Sequence, residues 1–158
     1  MNPSTNPSEQ RKKQTVTEQT YVTNSITLET ANLAIAAAIA KSVEMGLTVT
    51  VAATDPNDIL KAFQRMEGAS VLSTDIAVNK AFTAVTSGFN TGAFFEFVKT
   101  DPALLHGMTE VSRFSVFGGG EQIMHPTLGV IGAVGVSGAH YSEDEQIALA
   151  GVAAVLGE

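Results

Sequence analysis

The chain has 158 residues, nine Lys+Arg against sixteen Asp+Glu, a net charge of −7 and no cysteine. Its length and 44% hydrophobic content suit one folded domain with a real core, and the acid excess excludes the basic footprint of a nucleic-acid binder. The missing cysteines exclude disulfides, thiolate metal sites and cysteine nucleophiles. No apolar run reaches the ~18–20 uncharged residues of a membrane span.

Residues 1–20 are polar, with Val16 their one large apolar side chain after Met1 and with Arg11, Lys12 and Lys13 grouped together. They are expected to form a disordered or loosely docked arm ahead of a single domain over 21–158. They lack the apolar stretch of a signal peptide, so the expected location is cytoplasmic.

Thr27 is placed to cap a helix from Leu28 to about Met45, with Glu29 in its first turn and Gly46 just past its end. Leu47 to Thr54 alternates as a strand, Asp55-Pro56-Asn57-Asp58 is turn chemistry, and Ile59 to Met66 reads as the partner strand. A helix capped by Ser73 or Thr74 follows and ends before Gly88. A shorter helix is expected from Gly92 to Lys99, and Asp101-Pro102 opens another that ends near His106. Arg113 to Phe117 reads as a strand. Gln122 to Met124 and Leu128 to Val136 form a hairpin around His125-Pro126-Thr127. Ser142 and Glu145 are spaced as a capping box for a last helix from Glu143 to about Leu156. The pattern is α+β, with a mainly antiparallel five-stranded sheet packed by helices.

Several segments carry a resemblance in order and spacing. They are Ile26-Thr27-Leu28-Glu29-Thr30-Ala31, Arg65-Met66-Glu67-Gly68-Ala69, Asn79-Lys80-Ala81-Phe82-Thr83-Ala84 and Phe117-Gly118-Gly119-Gly120. The run from Ile131 to Gly138 and the helix opening Glu143-Asp144-Glu145-Gln146-Ile147-Ala148 complete the set. Over about residues 22–156 the chain resembles the GlcG/HbpS family of haem-binding or haem-degrading-type domains, which also forms the C-terminal part of some corrinoid adenosyltransferases. The resemblance implies a profilin-like fold, a homo-oligomer between tetramer and octamer, a small-molecule ligand and haem as the cofactor to expect, with none strictly required. It implies structural roles for Arg65, Gly68, Lys80, Gly119, Gly132, Gly135 and Gly138. Two features depart from the family pattern. Asp55-Pro56-Asn57-Asp58 replaces an Asp-x-Gly-Gly turn, and Glu121-Gln122 follows the glycines where apolar residues are usual.

His106, His125 and His140 form no i,i+4 pair, so no metal site is expected. His140, beside Tyr141, is the histidine best placed for a ligand. Lys80 stands among Ile76, Ala77, Ala81 and Ala84, so it either snorkels or pairs with a carboxylate. Arg65 and Arg113 are candidates to hold a ligand carboxylate. Gly118, Gly119 and Gly120 either bend the chain or let a flat ligand approach the backbone.

Two functions follow from these readings. One is a cytoplasmic oligomeric binder of haem or a similar flat acidic ligand. The other is a metal-independent enzyme on a small aromatic acid, such as a hydroxylaminobenzoate lyase. There Glu121 acts as acid or base in an apolar setting against Phe117, His140 and Lys80 are the other catalytic candidates, an arginine holds the carboxylate, and Gln122 and Tyr141 join Phe117 and the glycines in binding the ligand.

Overall fold

A computed structural model describes residues 19–158. The arm expected over 1–20 lies, but for its last two residues, outside the described residues.

The first helix of the described residues, α1 (Leu28–Glu44), starts where Thr27 Oγ1 accepts the Thr30 N–H at 3.1 Å, and it ends at Gly46 with φ +71°. It buries Ala31, Ala34, Ile35 and Ala38 on one stripe. Strands β1 (Thr50–Thr54) and β2 (Leu60–Arg65) follow, then α2 (Leu72–Ser87), α3 (Thr91–Val98) and α4 (Pro102–Met108), which Asp101 caps. A hairpin of β3 (Gly120–His125) and β4 (Gly129–Ser137) precedes α5 (Tyr141–Leu156).

The sheet has four strands in the order β2-β1-β4-β3, every neighbouring pair antiparallel. The expected fifth strand, Arg113–Phe117, is absent. Arg113 has φ +72°, and Ser115 N donates to the Thr83 hydroxyl at 2.9 Å, where a strand would donate to a neighbouring carbonyl. A left-handed residue breaks the extended backbone that pairing needs.

Every residue of β1 is buried, because helices cover both faces of the sheet. On one face α1 and α5 pack on Val49, Val51, Ala53, Ile123, Val134 and Val136. Small residues let those helices approach closely: a Cβ on Gly151 would stand 2.8 Å from Ala34 O. On the other face lies α2. A Cβ on Gly135 would stand 2.0 Å from Ala77 O, so α2 rests directly on the β4 backbone. Ser73, expected as a cap, is inside α2, and its hydroxyl meets Thr50 Oγ1 at 2.7 Å across this contact. At the helix start, Ser70 Oγ accepts the Leu72 N–H.

The outer edge of β3 is closed by side chains from the α2–α3 junction. Asn90 Oδ1 accepts from Gln122 N at 2.9 Å, and Thr91 Oγ1 accepts from Gly120 N at 2.9 Å. These bonds satisfy edge N–H groups that would otherwise invite another strand. They also fix α3 beside β3.

Candidate functional site

A cleft of about 570 Å³ lies where α3, the loop before β3 and the start of α5 meet. Phe95, Val116, Phe117 and Tyr141 line it with apolar surface, and Glu96 and Glu145 bring carboxylates. The Glu145 carboxylate is wedged between two glycines. A Cβ on Gly118 would stand 2.7 Å from Oε2, and one on Gly92 would stand 3.4 Å from Oε1.

The three glycines after Phe117 have separate reasons. Gly118 leaves room for Glu145. Gly119, at φ +111°, leaves room for the Lys80 ammonium 2.9 Å from its missing Cβ. Gly120 lies against α2, where a Cβ would stand 2.4 Å from Lys80 O.

Behind Phe117 lies a buried ion pair. Lys80, on α2, has no exposed surface; its Nζ donates to Asp144 Oδ2 at 2.7 Å and to Val136 O at 2.8 Å. Asp144 Oδ1 accepts from Ala139 N at 3.0 Å, so each charged atom has a partner. The ammonium also lies 4.9 Å from the Phe117 ring centroid, in cation–π range. Burial pulls Lys80 below the usual lysine range and pushes Asp144 above the usual carboxylate range; the attraction of each for the other opposes both shifts.

Glu121 is 1% exposed, on β3. It stands opposite Val134 and so points to the α1–α5 face of the sheet. Its Oε1 is buried without a hydrogen-bond partner. Burial first, and the Glu145 charge second, push its carboxyl up to about 8, while the Asn90 side chain favours the charged form. At neutral pH Glu121 therefore holds a proton in most molecules, next to the carboxylate that lines the cleft.

Other expected residues lie apart from this group. Arg65 is on β2, its guanidinium donating to Ala69 O, in a groove with Ile39, Gln64, Met66 and Glu67. Arg113 pairs with Asp58 at 2.5 Å and lies 4.2 Å from the Phe82 ring. Neither arginine lines the cleft. Gln122 donates to Ala84 O at 2.7 Å and serves the sheet edge. His140 is the exposed N-cap of α5. Its ring accepts from Ser142 N, and Glu143 Oε2 accepts from His140 N at 3.1 Å. The capping box is therefore His140 with Glu143, two residues before the expected Ser142 with Glu145. Tyr141 does line the cleft, with its ring 4.2 Å from that of His140.

Sequence reasoning misses Glu145 and Asp144. The spacing from Ser142 assigns Glu145 to a capping box, and the partner of Lys80 lies 64 positions away on another element. Among the described residues no cluster of His, Asp and Glu could hold a metal ion, and no helix is long and apolar enough to cross a membrane.

The chain has relatives among known proteins. The model of a family described as haem degrading protein HbpS-like matches residues 26–153. The uncharacterized 15.0 kDa protein in the dhaT-dhaS intergenic region of Citrobacter freundii is 36% identical over 125 residues, 78% of this chain and 87% of that protein. Corrinoid adenosyltransferase PduO of the same organism is 30% identical over 121 residues, 75% of this chain but 36% of PduO. The crystal structure of HbpS superposes with a TM-score of 0.79 at 31% identity, covering 91% of this chain and 99% of HbpS. The PduOC:heme complex superposes with a TM-score of 0.74 at 26% identity, covering 82% of this chain and 94% of that one.

Proposed function

The chain belongs to the HbpS-like family, and from that premise we propose that it binds haem, or a ligand of similarly flat aromatic shape, in the cleft beneath Phe117. The observation that carries this reading is the cleft wall of Phe95, Val116, Phe117 and Tyr141, on a fold shared with a relative crystallised with haem. Such a wall suits the faces of a macrocycle. The Tyr141 hydroxyl and the Glu145 carboxylate are oxygen donors of the kind ferric iron accepts, and they would hold the group. No lysine, arginine or histidine lines the cleft among the described residues, so acidic substituents of the ligand would project from its mouth. When bound, haem supplies its own redox chemistry; the chain supplies the binding surface and the surrounding charge. Titration with haemin should give a saturable Soret shift at micromolar protein, weakened by Tyr141→Ala. No shift would reject haem as the ligand.

We extend the proposal to self-association, in a cytoplasmic homo-oligomer of four to eight copies. Leu28, Leu33 and Val43 on α1, and Leu60 and Phe63 on β2, are exposed large apolar side chains that a partner copy would cover. A particle of 16.5 kDa in light scattering would reject this.

Glu121 favours a further reading, a metal-independent enzyme on a small aromatic acid. A carboxyl that keeps its proton at neutral pH is a competent general acid. A lyase acting on a hydroxylaminobenzoate fits that chemistry: hydroxylaminobenzoate and water become dihydroxybenzoate and ammonia without an external oxidant. With Arg65 and Arg113 elsewhere, the substrate carboxylate would face the mouth of the cleft.

A further inference from the structure

The cleft carries carboxylates as well as aromatic walls. Two lysines stand near it: Lys99, paired with Glu96, and Lys80, whose ammonium is enclosed behind Phe117 with its hydrogen bonds to Asp144 and Val136 made inside the protein. Lys80 and Asp144 cancel, and Glu96 pairs with Lys99, which leaves Glu145 as the unpaired carboxylate on the cavity wall among the described residues. Glu145 has no ion-pair partner among the described residues, and it lines the cavity with its two oxygens packed beside Gly92 and Gly118. Behind Glu145 lies Glu121, more than nine-tenths buried, with Oε1 unpartnered. An uncompensated carboxylate in a partly enclosed apolar setting attracts a cation or a strong N–H donor far more than it would in water.

We propose that Glu145 is the ligand-contacting carboxylate of this cleft, and that with Glu121 behind it the site selects aromatic ligands carrying a cationic or N–H-donating head group, such as an amidinium, amine or hydroxylamino nitrogen. The flat body of the ligand lies against Phe117, Phe95 and Tyr141, and the nitrogen meets the Glu145 carboxylate on the cleft wall. Glu121 acts through Glu145 and is a positioning residue: its ionisation adds another negative charge behind the first. The groups that bear on Glu121 are Glu145 from α5 and the Asn90 side chain from the α2–α3 junction. Glu145 also acts on Lys80. This inference rests on the cleft being the ligand site.

The test uses benzamidine and benzoate, two probes of the same shape and opposite charge, with binding to the full chain read by calorimetry and haemin titrated in parallel. Benzamidine is expected to bind at least ~10-fold more tightly than benzoate, and Glu145→Gln is expected to abolish that preference. Benzamidine affinity should rise as pH passes from about 7 to about 9 in the wild-type chain and stay level in Glu121→Gln, since only the former gains a charge there. Equal or tighter binding of benzoate to the wild-type chain overturns the proposal, and this comparison needs no variant to fold. An unchanged preference in Glu145→Gln overturns it as well. Haemin binding without benzamidine binding rejects the charge preference and keeps the haem reading; the reverse result does the opposite.

Discussion

Lys80 Nζ and Asp144 Oδ2 stand 2.7 Å apart with both side chains buried, and this pair joins the middle of α2 to the first turn of α5. The two helices contact different faces of the sheet. The bond therefore passes around the end of the β3–β4 hairpin, through the space that Gly119 leaves. Taking two charges out of water costs about as much as their attraction returns, so the pair defines an arrangement more than it adds net stability.

Its removal by halves is predicted to be costly. Lys80→Met leaves Asp144 buried with one backbone N–H as its partner, and a loss of about 3–5 kcal/mol is expected in denaturant unfolding. Lys80→Met with Asp144→Asn should recover part of that loss, because the amide keeps an acceptor for Ala139 N without a charge. A single variant as stable as the wild-type chain would show that the pair carries no structural role.

Glu121 makes stability depend on pH in a direction that can be worked out. Its folded carboxyl sits at about 8, against 4.5 for an ordinary glutamate. Across that window the folded chain holds a proton that the unfolded chain has released. Stability must then fall as pH rises, by up to ~1.4 kcal/mol per pH unit from this group. Glu121→Gln lacks the titration, so its melting temperature should decline less than that of the wild-type chain between about pH 5 and about pH 9. Parallel curves would mean that Glu121 ionises in the fold much as it does in water.

The capping of α5 gives a third expectation. His140→Ala removes the side-chain acceptor and should cost ~0.5–2 kcal/mol, while His140→Asp should restore it, since both Asp and His can accept from the first turn. The haemin spectrum should be the same in all three proteins, because His140 is exposed and does not line the cleft. A changed Soret band in His140→Ala would return that imidazole to the ligand's coordination sphere.

Much of this architecture is legible where the relevant physics is local. Thr27, Gly46, Asp101-Pro102 and Gly88 mark helix ends because caps and left-handed positions act within a few residues. The apolar surroundings of Lys80 on its own helix announce that the ammonium needs a carboxylate, but which one depends on chain closure. Arg113–Phe117 alternates like a strand, yet Phe114 packs edge-on at 5.7 Å from Phe82, and Arg113 turns left-handed to reach Asp58. Tertiary contacts outweigh the alternation there. The start of α5 lies two residues earlier than its spacing suggests, because histidine is outside the usual set of capping residues. That shift hides Glu145, whose role depends on which way the helix is turned.

Asp144 and Glu145 are consecutive residues, about 100° apart around the axis of α5. Asp144 is held by Lys80, whereas Glu145 faces the cleft. The bond to Lys80 thus sets the rotational phase of the helix, as a key fixes a wheel to its shaft. Drift at either end of that ion pair would swing the neighbouring carboxylate away from Gly118 and Gly92. Buried interior and cleft wall are therefore coupled in this chain, because adjacent positions on one backbone serve both.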